Sequence, residues 1–175
     1  MKDIQKAWIE TGYRTFALEG PKGVKIERIA KEVGKNKSSF YHHFADLEVF
    51  TNLLLRHHIE QSKIAAAKES SCTDLKELIE VLVEHKIDLL FNRQLRINRE
   101  SVEFKKCFQT VNEMTISAIV PVWYEHFGID KNSPLNEIVL RLSLENFFLQ
   151  ITDKTINNDW LLEYFRELKY LISKV

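Results

Sequence analysis

Apolar residues recur at intervals of four at the start of the chain: Ile4, Trp8, Gly12 and Phe16. That spacing puts them on one face of a helix. Gly12 within the stripe weakens the helix but lets a neighbour approach closely. Gly20, Pro21 and Gly23 then break the pattern. Ile26, Ile29, Ala30 and Val33 follow at i, i+3, i+4 and i+7 and predict a short second helix. Gly34 sits just past it, where a left-handed C′ residue is expected. Asn36 is a candidate N-cap for a third helix, on which Phe40 and Phe44 lie four apart and face inward. A short helix, a glycine turn and another short helix form the helix-turn-helix pattern.

Further along, the helical periods lengthen. Asp46 is placed to cap a fourth helix running from Leu47 to about Ala67, with Glu48 favourable in its first turn. The Ser-Ser-Cys-Thr segment at 70–73 ends it. Leu75, Leu78, Ile79, Leu82 and Leu89 mark a next amphipathic helix, with His85 on its apolar face. Residues 94–128 are aromatic-rich; Pro121 inside them should kink or restart the helix, and Gly128 should end it. Ser133-Pro134 reads as a clean helix start. Beyond it come Leu135, Ile138, Val139, Leu142, Phe147, Phe148, Leu149 and Ile151. A last helix, about 158 to 173, carries Trp160, Leu161, Leu162, Tyr164, Phe165, Leu168, Leu171 and Ile172. Both final helices hold more apolar surface than one core face needs. An interface accounts for that excess, and so does mutual burial within one monomer. The fold class expected is all-α with about nine helices: a three-helix helix-turn-helix domain at 1–46 and a helical body at 47–175.

Composition sharpens this picture. Apolar residues make up 45 % of the 175, enough for a substantial core. Five glycines and three prolines leave few breaks in the periodic stretches. No run approaches the roughly 20 apolar residues that span a bilayer, and the N-terminal residues do not resemble a secretory signal. Cys72 and Cys107 are too few and too far apart for a disulfide framework or a zinc site, so a reducing cytoplasm is the default location. The adjacent pairs His42-His43 and His57-His58 point to different sides of a helix and make poor metal ligands. No glycine loop for nucleotides and no nucleophile elbow is present, and no cofactor is implied. Net charge is zero overall, yet residues 1–46 hold nine Lys and Arg against six Asp and Glu. Positive charge thus gathers in the helix-turn-helix segment.

The third helix carries chemistry suited to a DNA groove. Lys37 and Ser38 stand in its first turn, the part of a recognition helix that meets base edges. Lysine can bond guanine acceptors, and serine can pair with several edges. Tyr41, His42 and His43 suit phosphate oxygens, assisted by the helix N-terminus. On periodicity alone, the same residues are also what a solvated helix face would carry.

The run from Gly23 to Glu48 resembles the signature of the TetR family of transcriptional regulators. Its elements are Gly23, the Ile29-Ala30 pair, Gly34 at the turn, and Tyr41-His42-His43-Phe44 closing the third helix; Phe16 and Gly20 match the family's first helix. The resemblance covers about residues 4–50. It implies base contacts at Lys37, Ser38 and Ser39, and backbone contacts at Tyr41, His42 and His43. Three positions depart from the pattern. Lys25 stands where Thr or Ser usually caps the second helix, Lys35 and Asn36 follow the turn glycine in place of a small apolar residue and Ser, and Leu47 replaces a lysine that usually meets phosphate. Lys25 and Lys35 are the candidates to replace that charge.

For the body, the resemblance implies a ligand-sensing and dimerising domain. The aromatic and Met-containing stretch offers candidate lining at Phe104, Phe108, Met114, Trp123 and Phe127. His85, Asn112, Thr115 and His126 are the candidate polar groups, since ligand sites are apolar cavities with a few polar groups. A lone histidine on an apolar face is more often a hydrogen-bonded core residue. In the family the last two helices pair with their copies in a four-helix bundle, which implies contacts at Leu142, Phe147, Phe148, Leu161, Phe165 and Leu168. The function expected is a sequence-specific regulator, a repressor released from its double-stranded DNA operator by a small apolar inducer, acting as a homodimer with no membrane association. One rival is an adaptor whose head no longer binds DNA. Another is a small helical enzyme using His85 or His126 as a base, although no paired nucleophile or carboxylate stands at a useful spacing.

Overall fold

A computed structural model describes residues 3–128 and 136–174. Among the described residues there are nine α-helices and no strand. They are α1 (Asp3–Glu19), α2 (Ile26–Val33), α3 (Lys37–Tyr41), α4 (Leu47–Glu69), α5 (Leu75–Glu84), α6 (Lys86–Ile97), α7 (Val102–Phe127), α8 (Asn136–Gln150) and α9 (Asn158–Ile172). Ser133, Pro134 and Leu135, the expected helix start, lie outside the described residues.

Packing divides the chain into two compact units: residues 1–63 with 87–111, and residues 64–86 with 112–175. In the first unit, Trp8 and Phe16 of α1, Phe40 of α3, Phe50 and Leu54 of α4, and Phe91 and Leu95 of α6 are fully buried. Gly12 does what its place in the stripe suggests. A Cβ there would lie 2.5 Å from the ring tip of Phe50, so α1 and α4 pack closely only because the side chain is absent.

A polar node sits in this aromatic core. The Tyr13 hydroxyl donates to Asp88 Oδ1 at 2.6 Å and lies 2.8 Å from His58 Nδ1. With its proton committed to Asp88, the hydroxyl accepts from His58, which fixes the imidazole's donor nitrogen. Burial pushes His58 down to about 3, the neighbouring His57 adding to the shift, so the ring is neutral at physiological pH. Burial, with Asp88 next, raises Tyr13 well above the ordinary phenol value. The node joins α1, α4 and α6 through hydrogen bonds that the stacking of Tyr13 on Phe91 shields from water.

In the second unit, α5 packs against α9. Tyr164 of α9 donates to the Ser143 carbonyl of α8 at 3.0 Å and meets Phe147 edge-on. Asn157 caps α9 by accepting from the Trp160 N–H. Two sequence expectations change here. The helix expected through Leu75 to Leu89 is two helices: α5 stops at Glu84, and His85 occupies a non-helical C-cap position before α6 begins. Pro121 neither breaks nor restarts α7, which is helical from Val102 to Phe127. Proline removes one backbone N–H and crowds the carbonyl four residues back, and the helix continues on either side of that one lost bond.

Candidate nucleic-acid interface

The turn between α2 and α3 is fixed by backbone chemistry. Gly34 adopts φ 70° and ψ 33°, the left-handed conformation in which L side chains are strained. Its N–H donates to the Lys31 carbonyl, and the Lys35 N–H reaches back to Ala30 at 2.8 Å. These two bonds form a Schellman motif, which ends α2 sharply and redirects the chain. Asn36 then opens α3, its side-chain oxygen accepting from the Ser39 N–H at 2.9 Å. At the start of α2, Lys25 has the extended conformation of a cap residue but no side-chain capping bond, as expected of a lysine there.

The inner face of α3 is anchored by aromatic contacts. Phe40 meets Trp8 edge-on at 5.4 Å and Phe50 at 5.3 Å, and Phe44 lies 4.8 Å from Phe50. Burying Phe40 and Phe44 leaves the helix only one orientation. Lys37, Ser38, Tyr41 and His42 are then exposed, while Ser39 and His43 are half-buried. Lys25 and Lys35 are exposed on the same small three-helix head. The eight positions expected to meet DNA therefore fall between the cap of α2 at Lys25 and the turn after α3 at His42 and His43, with α3 ending at Tyr41.

The electrostatics of that face were not legible in the motif. Lys37 Nζ lies 2.5 Å from Glu27 Oε1 of α2. The hydrogen bond to Glu27 raises the Lys37 pKa and lowers that of Glu27. Arg28 is engaged by Glu19 and Glu32, with Glu32 at 3.0 Å. Two of the head's cations thus carry carboxylate partners before any DNA approaches. Arg28 and Glu32, four apart on one short helix, were readable as a pair; Glu27 and Lys37, ten apart across the turn, were not.

The positions expected to line a ligand site fall in both units. Phe104 and Phe108 belong to the first. Phe104 packs edge-on against Phe16, and the Arg96 guanidinium lies 4.5 Å above the Phe108 ring. His85, Asn112, Met114, Thr115, Trp123, His126 and Phe127 belong to the second. There Trp123 and Phe127 are buried with their rings 4.4 Å apart, and His126 meets Phe127 edge-on. Of the positions expected at a dimer contact, Phe147, Phe148, Leu161 and Phe165 are buried within the chain, Leu168 is half-buried and Leu142 is 57 % exposed. Leu149, Leu162, Tyr170 and Leu171 are exposed apolar residues on the same two helices. Leu149, Leu162 and Leu171 belong to the apolar excess the sequence shows on these helices, and Tyr170 joins them.

Residues 9–48 match the profile of the bacterial regulatory proteins, tetR family. None of the curated proteins matches the chain. Its fold is similar to that of a TetR-family transcriptional regulator from a Rhodococcus species, at 15 % identity and a TM-score of 0.61, covering 100 % of this chain and 99 % of that one. A TetR-family regulator from Mesorhizobium loti is similar at 15 % identity and a TM-score of 0.59, covering 98 % of this chain and 94 % of that one. At such identities the likeness is one of fold. No helix among the described residues is long and apolar enough to cross a membrane.

Proposed function

We propose that this chain, whose residues 9–48 match the tetR-family profile, is a TetR-type repressor that binds operator DNA as a homodimer and is released by a small apolar ligand. The observation that carries the DNA-binding part is the anchored α3. Buried Phe40 and Phe44 orient it, the Gly34 turn and the Asn36 cap position it, and its outer face carries Lys37, Ser38 and Tyr41. Lys37, Ser38 and Ser39 read base edges, while Tyr41, His42, His43, Lys25 and Lys35 hold the phosphate backbone.

Residues 75–127 are the stretch proposed to hold the ligand, and within the second unit the buried Trp123 and Phe127 supply apolar surface. A ligand shifts DNA binding only through different affinities for the two arrangements of the protein. Operator and ligand must therefore weaken each other equally. A mobility-shift assay against the DNA flanking the protein's own gene tests the central part. A retarded band that unrelated DNA does not compete away is expected, and equal competition by any duplex would overturn it.

A second reading is an adaptor whose head does not bind DNA. The Lys37–Glu27 ion pair and the exposed Leu47 favour it, since one candidate base reader is engaged and one phosphate contact is apolar. The same assay separates the two.

A further inference from the structure

Within the first unit, the start of α4 and the start of α7 enclose an open groove of about 410 Å³. That volume lies at the small end of the range for ligand pockets. Leu47, Leu55 and Phe104 supply its apolar surface, and the carboxylates of Glu48 and Glu103 stand beside them. Among the described residues, no lysine, arginine or histidine lines it. The site thus joins an aromatic ring and two carboxylates in a space large enough for a small organic molecule.

The polar lining discriminates between ligand charges. Glu103 Oε2 accepts from the Ser101 hydroxyl at 2.8 Å, which orients the carboxylate at the groove wall. Its own backbone N–H and then Ser101 hold the Glu103 carboxyl below the usual range, so it is ionised at neutral pH. The Thr51 hydroxyl is committed to the Leu47 carbonyl at 2.8 Å. Asn52 is left as the one side-chain amide in the lining. An anion entering here would meet two carboxylates and a single neutral donor. A neutral apolar molecule would cover the floor and gain nothing from the walls. A cation attached to an apolar body satisfies both, because carboxylates and an aromatic ring each attract it.

We propose that this groove binds a small amphipathic organic cation, with the apolar body on Leu47, Leu55 and Phe104 and the ammonium held by Glu48 and Glu103. Leu47, which departs from the family pattern, has a role in this site: it is wall rather than phosphate contact. The inference does not rest on the DNA-binding reading, and it is tested without DNA.

The test is a titration of the full chain, followed by amide chemical shifts, with three probes that share one body: phenylbutylamine, phenylbutanol and phenylbutyrate. The amine is expected to shift the amides of residues 47–55 and 101–104, with an affinity at least fivefold above the alcohol's, and the acid is expected not to bind. Glu48→Gln combined with Glu103→Gln keeps the acceptor for Ser101. It is expected to weaken the amine about tenfold and leave the alcohol unchanged. Thr51→Phe, which fills the groove without removing a core contact, should abolish binding of both. Equal affinities for amine and alcohol, an unchanged amine affinity in the double variant, shifts centred elsewhere, or no amine binding would each overturn the proposal.

Discussion

Lys37 and Glu27 show how a single contact sets what the candidate interface can do. The pair is exposed, so in solution it exchanges readily with water and contributes little to stability. Against DNA it matters more, because Lys37 must leave Glu27 before reaching a base. Glu27→Gln is therefore expected to tighten operator binding several-fold. Lys37→Ala should relax preference at one position of each half-site, with a loss of roughly tenfold or more for the preferred base. Competition binding against single-base operator variants measures both. An unchanged preference at every position would remove Lys37 from the readers. Gly12 is the corresponding residue in the core. Gly12→Ala pushes a methyl into the buried Phe50 ring. Overpacking costs about 1–3 kcal/mol, and the gain in helix propensity returns about 1 kcal/mol. A net loss of stability in urea unfolding is expected, and a stabilised variant would show that Phe50 yields freely.

At the scale of elements, α4 carries the sharpest lesson about reading a sequence. Its buried stripe is Phe50, Leu54, His58, Ser62, Ala65 and Glu69, at helical spacing throughout. Half of this stripe is polar, at His58, Ser62 and Glu69, and composition alone does not mark such residues as buried. Periodicity, followed through them, was the available signal. The N-terminal elements were legible in Gly34, Asn36 and the Phe40–Phe44 pair, although the third helix, expected to carry Phe44, ends at Tyr41. The break at His85 was not legible, because the apolar spacing carries straight across it from Leu82 to Leu89. Glu69 yields a prediction of its own. Burial raises its carboxyl from 4.5 to about 7, so the folded state holds the proton more tightly than the unfolded chain. Its contribution to stability is present below about pH 4.5 and is lost as pH rises through 7. His58, lowered to about 3, acts in the opposite direction and masks the slope in the wild type. The difference between Glu69→Gln and wild type isolates it. The variant should gain relative stability from pH 5 to pH 8, by up to roughly 3 kcal/mol. A constant difference across that range would mean that Glu69 is solvated.

At the scale of the whole molecule, α8 and α9 carry exposed apolar residues among those described. Leu142, Leu149 and Leu171 are 57 %, 74 % and 62 % exposed. A two-fold contact that covers them would bring two helix-turn-helix heads into one particle. Sedimentation at micromolar concentration is expected to give a species of twice the 20.6 kDa chain mass. Leu142→Glu with Leu149→Glu should return it to the chain mass without loss of helix content; a wild-type chain that sediments only at 20.6 kDa would remove the dimer from the account. The central claim, that α3 reads DNA sequence from a dimer, is tested most directly by footprinting the protein on the DNA that flanks its own gene. The account predicts two protected half-sites related by inverted symmetry and spaced by about one helical turn of DNA or a multiple of it. It also predicts that Lys37→Ala weakens protection in both together. A continuous, sequence-indifferent protection, or none at concentrations where the dimer forms, would contradict it.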